Sequence, residues 1–146
     1  MRKAALHNLG CKVNAYETEA MQEMLEQNGY EIVPFAEGAD VYVINTCTVT
    51  NMADRCYVQA QGAKADDCID IIIGNNKKKD LITILDEHFA KIEEKEPQVE
   101  LIDIAHTHEY EEMRVSRQAE HTRANVKVQD GCNQFCSYCI IPYVRG

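Results

Sequence analysis

A chain of 146 residues with 45 % apolar side chains can bury a core, which excludes general disorder and a fold held together by metal alone. Its seven cysteines make up about 5 % of the residues, below the roughly 8–10 % of a disulfide scaffold, and the odd count points to metal ligands, redox groups or core thiols in a reducing compartment. The net charge of −9, from 15 basic and 24 acidic side chains, repels phosphate backbones, so any RNA must be gripped by another surface.

No run approaches the roughly 18 apolar residues of a membrane span, and Met1-Arg2-Lys3 turns polar too soon for a secretory signal; a cytoplasmic protein with no membrane association is expected. In chain order, Ala4–Leu9 reads as a short strand ending at Gly10-Cys11, and Asn14 as the cap of a helix running to about Asn28. Ala20, Met21, Met24 and Leu25 share one face of that helix, and Gly29 is its C-terminal stop. Tyr30–Val33 is a second strand ended by Pro34, and Val41–Ile44 is an apolar run suited to a buried parallel strand, so the opening is β-α-β-β, the start of an α/β sheet. A further β-α pair follows, with a strand at Ile69–Ile73 closed by Gly74 and a helix over Lys79–Phe89 that places Leu81, Ile82, Leu85 and Phe89 on one side. The cluster Lys77-Lys78-Lys79 is expected to solvate the start of that helix. Glu93–Pro97 reads as a turn, Val99–Ile104 as a weaker strand, His106–Arg123 as a linker, and Ala124–Gln129 as a strand leading into Asp130-Gly131-Cys132. The expected fold class is therefore α/β, an open and mainly parallel sheet with flanking helices.

The cysteines carry the chemistry. Cys132-Asn133-Gln134-Phe135-Cys136-Ser137-Tyr138-Cys139 has the spacing C-x3-C-x2-C in a glycine-led loop after a predicted strand. A structural zinc site is normally closed by four ligands, whereas three thiolates leave a coordination position free on a zinc ion or a cluster iron. Both metals stay open at this point, with an iron–sulfur centre the stronger reading. Cys11 and Cys47 each follow a predicted strand, outside the carboxyl ends where α/β sheets build their sites. Taken singly, each of these, like Cys56, reads first as a small core hydrophobe rather than a ligand. Cys68 is read as structural, and the five histidines lack metal-ligand spacing apart from His106-x-His108, a linker detail.

The loop and its flanks, Val128-Gln129-Asp130-Gly131 before it and Ile140-Ile141-Pro142-Tyr143-Val144-Arg145-Gly146 after it, resemble the cluster loop of the radical S-adenosylmethionine methylthiotransferase family. Gly10-Cys11-Lys12-Val13-Asn14 and Asn45-Thr46-Cys47-Thr48-Val49-Thr50 are similar to the first two ligand motifs of that family's auxiliary cluster, and Cys56-Tyr57-Val58-Gln59 to the third. The wording of these motifs is closest to the branch acting on threonylcarbamoyl-adenosine in tRNA. The resemblance implies two 4Fe–4S clusters, one held by Cys132, Cys136 and Cys139 and binding S-adenosylmethionine, the other an auxiliary cluster held by Cys11, Cys47 and Cys56. It also implies tRNA as substrate, an electron donor such as a flavodoxin or ferredoxin, and no stable protein partner. The chemistry it implies is formation of a 5′-deoxyadenosyl radical, hydrogen abstraction at carbon 2 of the modified adenosine beside the anticodon, and insertion of a methylated sulfur. No catalytic side chain is assigned, and Arg145 is read as a solvated loop residue.

Two departures from the pattern bear on this. In the family a helix and a strand ending in Gly-Cys precede the third cysteine, whereas here Arg55 runs directly into Cys56, so a β-α element of about thirty residues is expected to be missing. The chain also stops at Gly146, just past the cluster loop. The expected organisation is an N-terminal α/β domain over 1–105, shortened near 55–56, a linker over 106–123, and the start of a truncated radical S-adenosylmethionine domain over 124–146. An N-terminal fragment of such an enzyme, of little or no turnover alone, is the first functional reading. The alternative is a non-catalytic iron–sulfur or zinc-binding α/β module.

Overall fold

Lys3–Leu9 forms strand β1, with Ala4 and Ala5 fully buried, and the chain then turns at Gly10 into helix α1, Lys12–Gln27. The computed structural model describes residues 1–47, 70–75, 77–91, 98–100, 113, 115–116 and 125–145. Helix α1 ends as Gly29 predicts: Gly29 adopts φ +82°, its N–H donates to the Glu26 carbonyl, and Tyr30 N–H reaches the Leu25 carbonyl at 3.0 Å. This pairing of 5→2 and 6→1 bonds satisfies the last carbonyls of the helix and reverses the chain into strand β2, Glu31–Ile32. Strand β3, Val41–Thr46, runs two residues beyond the apolar run that signals it, because Asn45 and Thr46 still pair with β1.

The three strands are parallel in the order β2-β1-β3, with Ala4 opposite both Ile32 and Val41, and Leu9 opposite Thr46. Ala20, Met21 and Leu25 of α1 supply the buried face, as the periodicity predicts, while Met24 is only half-buried. His7 of β1, Phe35 of the β2–β3 loop and Tyr42 of β3 form an aromatic chain, with ring centroids 5.1 Å and 5.5 Å apart. Tyr42 braces the β2–β3 loop, accepting from Ala39 N–H and donating to the Ala36 carbonyl.

The chain divides into two compact units, Met1–Tyr57 with Met113–Lys127, and Val58–Glu112 with Val128–Gly146. In the first, the segment expected as a linker touches α1 at its described positions. Tyr16 donates to the Met113 carbonyl at 3.0 Å, and Ser116 donates to Glu23 through both its N–H and its hydroxyl. In the second, β4 (Ile71–Ile73) pairs in parallel with β5 (Gln98–Glu100), and helix α2 (Leu81–Ala90) buries Leu81, Ile84 and Leu85. Ile84 takes the core place expected of Ile82 and Phe89, which are half-buried. Of the lysine cluster, Lys78 is buried in a 3-10 turn and Lys77 pairs with Asp80 at 3.7 Å, so only part of it is solvated.

The strand expected at Ala124–Gln129 does not form: the described residues 125–130 have no regular structure. The alternation is turned inside out, with Val126 and Val128 exposed and the Lys127 side chain buried against Glu17. A one-turn helix α3, Ile141–Val144, follows the cysteine loop, with Pro142 tolerated in its first turn where no intrahelical N–H is needed. Residues 101–104 of the weaker strand, the Glu93–Pro97 turn, Cys56, Cys68, His106, His108 and His121, the 55–56 junction and most of 106–123 lie outside the described residues. No helix among the described residues is long and apolar enough to cross a membrane.

Candidate functional site

The order β2-β1-β3 reverses direction at β1, and in open parallel sheets a ligand crevice opens at such a switch point, outside the carboxyl ends of the two strands. The two loops there are the β1–α1 turn, which carries Cys11, and the end of β3, which carries Cys47. Leu9 and Thr46 are the last paired positions, so Gly10 and Cys47 come next in line, and Cys11 one residue further. Cys11 is exposed and Cys47 is buried, and neither is in a disulfide.

A polar network under α1 holds these loops. The N-cap of helix α1 lies three residues before the predicted one: it is Cys11, extended at φ −82° and ψ −174°, and Asn14 lies inside the first turn. Asn14 is displaced from a capping role because its amide is engaged elsewhere. Its Nδ2 donates to the Thr46 carbonyl at 2.8 Å and to Asn45 Oδ1 at 3.4 Å, and its Oδ1 accepts from Cys11 Sγ at 3.3 Å. In return, Asn45 Nδ2 donates to the Asn14 carbonyl at 2.9 Å and to Thr18 Oγ1 at 3.1 Å, while Thr18 donates to the same carbonyl. Asn14 is fully buried and Asn45 nearly so, which makes them costly unless hydrogen-bonded, and this network satisfies them. Gly10 is required by close approach, since a Cβ there would lie 2.6 Å from Asn14 Cγ.

The second cysteine group lies on one loop. Gly131 (φ +73°) and Phe135 (φ +49°) place two left-handed residues in it, and Cys139 N–H donates to the Cys136 carbonyl at 3.0 Å, closing a turn. Cys136 is exposed, and Cys132 and Cys139 are half-buried. The loop's ends are clamped by an ion pair between Arg145 Nη1 and Asp130 Oδ1 at 2.9 Å, with side chains 9 % and 11 % exposed. Arg145 is therefore not the solvated residue expected from sequence; the signal available was its opposite charge to Asp130 across the cysteine loop. Phe135 packs edge-on to Tyr143 at 5.7 Å.

The donor chemistry of both groups suits a thiolate-bound metal: three thiols on a loop of eight residues, and two more on adjacent strand ends. No three His, Cys, Asp or Glu side chains among the described residues converge to hold a metal ion. The third expected auxiliary ligand, Cys56, lies outside the described residues.

The chain matches, over residues 3–102, the family described as Uncharacterized protein family UPF0004. The chain belongs to this family. This UPF0004 chain is 38 % identical over its whole length to a threonylcarbamoyladenosine tRNA methylthiotransferase MtaB of Bacillus subtilis, of which it covers 37 %. It is 36 % identical over 99 % of its length to a protein of the same name from Aquifex aeolicus, covering 40 % of it. A tRNA-2-methylthio-N(6)-dimethylallyladenosine synthase of Maricaulis maris is 27 % identical over 99 % of the chain, which covers 38 % of that protein. The UPF0004 chain thus spans about two fifths of the length of these curated relatives.

Proposed function

We propose that the chain is the N-terminal part of a radical S-adenosylmethionine methylthiotransferase that modifies carbon 2 of N6-threonylcarbamoyladenosine next to the anticodon of tRNA. The observation that carries this reading is the placement of Cys11 and Cys47 at the β1/β3 switch point, in a chain that also bears Cys132, Cys136 and Cys139 on a single clamped loop. Two relatives at 38 % and 36 % identity are named for threonylcarbamoyladenosine, against 27 % for one named for the dimethylallyl nucleoside, which supports the former substrate.

Cys132, Cys136 and Cys139 would hold the 4Fe–4S cluster that binds S-adenosylmethionine, and Cys11, Cys47 and Cys56 the auxiliary cluster. When bound, such clusters supply one-electron reduction of S-adenosylmethionine and the sulfur to be transferred. The chain's own contribution is geometric. Asp130 and Arg145 close the loop that presents three thiolates, and the positive φ of Gly131 and Phe135 curves it. Three protein ligands leave one iron free in each cluster, as both roles need. The proposed organisation keeps the α/β domain over 1–105, the linker over 106–123 and the start of the catalytic domain over 124–146. The proposed setting is the cytoplasm, with a flavodoxin or ferredoxin as reductant.

Anaerobic reconstitution of the chain with iron and sulfide tests this reading, with metal analysis and electron paramagnetic resonance of the reduced protein. The loop cluster should load readily and the auxiliary one poorly, given the altered approach to Cys56. Cys132→Ala should therefore remove most of the bound iron and Cys11→Ala the lesser part. Equal losses would show that the auxiliary site is not impaired, and retention of zinc in place of iron by all variants would favour a zinc-binding module instead.

A further inference from the structure

The network beneath α1 joins the two cysteine-bearing loops at one side chain. Asn14 occupies the third position of the helix, where a polar side chain ordinarily reaches back to the backbone N–H of the cap residue. Here it turns to the cap residue's sulfur on one side and to the end of β3 on the other. Both contacts demand an amide: Nδ2 must donate to the Thr46 carbonyl, one residue before Cys47, and that orientation leaves Oδ1 to accept from Cys11 Sγ. The Asn14 main chain is tied to the same strand by Asn45 Nδ2, and the missing Cβ of Gly10 lets the β1–α1 turn lie against the amide. Once Cys11 is a thiolate it has no proton to give, so the part of the arrangement that persists is the link from the β1–α1 turn to β3.

We propose that Asn14 is the positioning residue of the Cys11–Cys47 pair, holding the β1–α1 turn and the end of β3 in one register so that the two sulfurs lie within reach of a common iron before iron arrives. This rests on the reading of Cys11 and Cys47 as ligands of one cluster. An acid at this position would set a carboxylate against the Thr46 carbonyl, and an aliphatic side chain would link neither loop. Thr18 belongs to the same network but touches neither cysteine nor the Thr46 carbonyl, so it separates positioning from simple loss of stability.

The test uses the metal-free full chain and the oxidant diamide, which takes up two hydrogens as two S–H bonds break and the Cys11–Cys47 S–S bond forms. Bridging is followed by mass spectrometry of peptides. A disulfide needs the two Cα atoms within about 4.4–6.8 Å, so the bridging rate reads the proximity of the loops without any cluster. Asn14→Leu should slow bridging by about tenfold or more, a fraction of the roughly hundredfold that a 1 Å misplacement can cost. Asn14→Asp, which preserves the shape should the leucine variant fail to fold, should slow it as well, whereas Thr18→Val should bridge at close to the wild-type rate. Equal slowing by Thr18→Val and Asn14→Leu would overturn the proposal, as would a wild-type chain in which Cys11 and Cys47 do not bridge. Reconstituted Cys11→Ala and Cys47→Ala report separately on ligation: unchanged iron in both would remove the ligand reading while leaving the bridging result to stand on its own.

Discussion

Lys127 and Glu17 form an ion pair at 3.1 Å with side chains only 2 % and 1 % exposed, and replacing Lys127 by Met is the sharpest perturbation of the first unit. At that separation and an effective dielectric constant of about 20, the attraction is about 5 kcal/mol, and it is largely offset by the desolvation of both ions. The intact pair therefore adds little net stability, but Lys127→Met takes away a buried cation 3.1 Å from the buried Glu17 carboxylate, at a cost of about 3–5 kcal/mol. That is a large share of the roughly 5–15 kcal/mol of a typical domain. With a denaturant slope of roughly 1–3 kcal/mol per molar urea, the midpoint should fall by about 2 M. Urea unfolding followed by circular dichroism, with hydrogen exchange of the α1 amides to assign the loss to this unit, measures it. The double variant Glu17→Leu with Lys127→Met removes both charges and should recover most of the loss. A single-variant cost below about 1 kcal/mol, the range of a solvated surface pair, would refute the reasoning, as would a double variant no more stable than Lys127→Met.

Three further outcomes follow from the geometry. Gly10→Ala places a Cβ 2.6 Å from the Cγ of a fixed, buried Asn14, so it should cost about 1–3 kcal/mol in urea unfolding and slow Cys11–Cys47 bridging. Gly29→Ala meets open space but must keep φ +82°, and should cost about 1–2 kcal/mol in the same assay without any change in bridging. Arg145→Gln opens the clamp on the cysteine loop and should weaken iron retention there by about 10- to 100-fold, read by chelator competition on the reconstituted chain, with Asp130→Asn matching it.

The strand and helix order of the first unit was legible because each element has one dominant signal. Val41–Ile44 is a continuous apolar run, α1 carries a 3.6-residue stripe, and Gly29 is a stop that only a left-handed residue can make. Elements whose pattern requires an interior to point at were misread. Asn125–Gln129 alternates like a strand, yet what it buries is Lys127, because Glu17 on α1 offers a partner 110 residues away. Asn14 has the chemistry of a helix cap, and only the carbonyl of Thr46, 32 residues on, turns its amide away from that role.

The sequence by itself determined the candidate ligands, since C-x3-C-x2-C and the two strand-end cysteines are local patterns that need no partner to be seen. The tertiary structure alone decided that Cys11 and Cys47 lie on neighbouring strand ends, because parallel pairing of β1 with β3 is a long-range choice that buries Ala4 and Ala5 of β1 and Val41 of β3 while Tyr42 and Ile44 stay exposed. It decided, too, which polar residues hold those ends. Asn14, Asn45, Glu17 and Lys127 are ordinary surface types in a list of residues, and they acquire roles only where burial makes each unpaired donor, acceptor or charge too costly to leave unmatched.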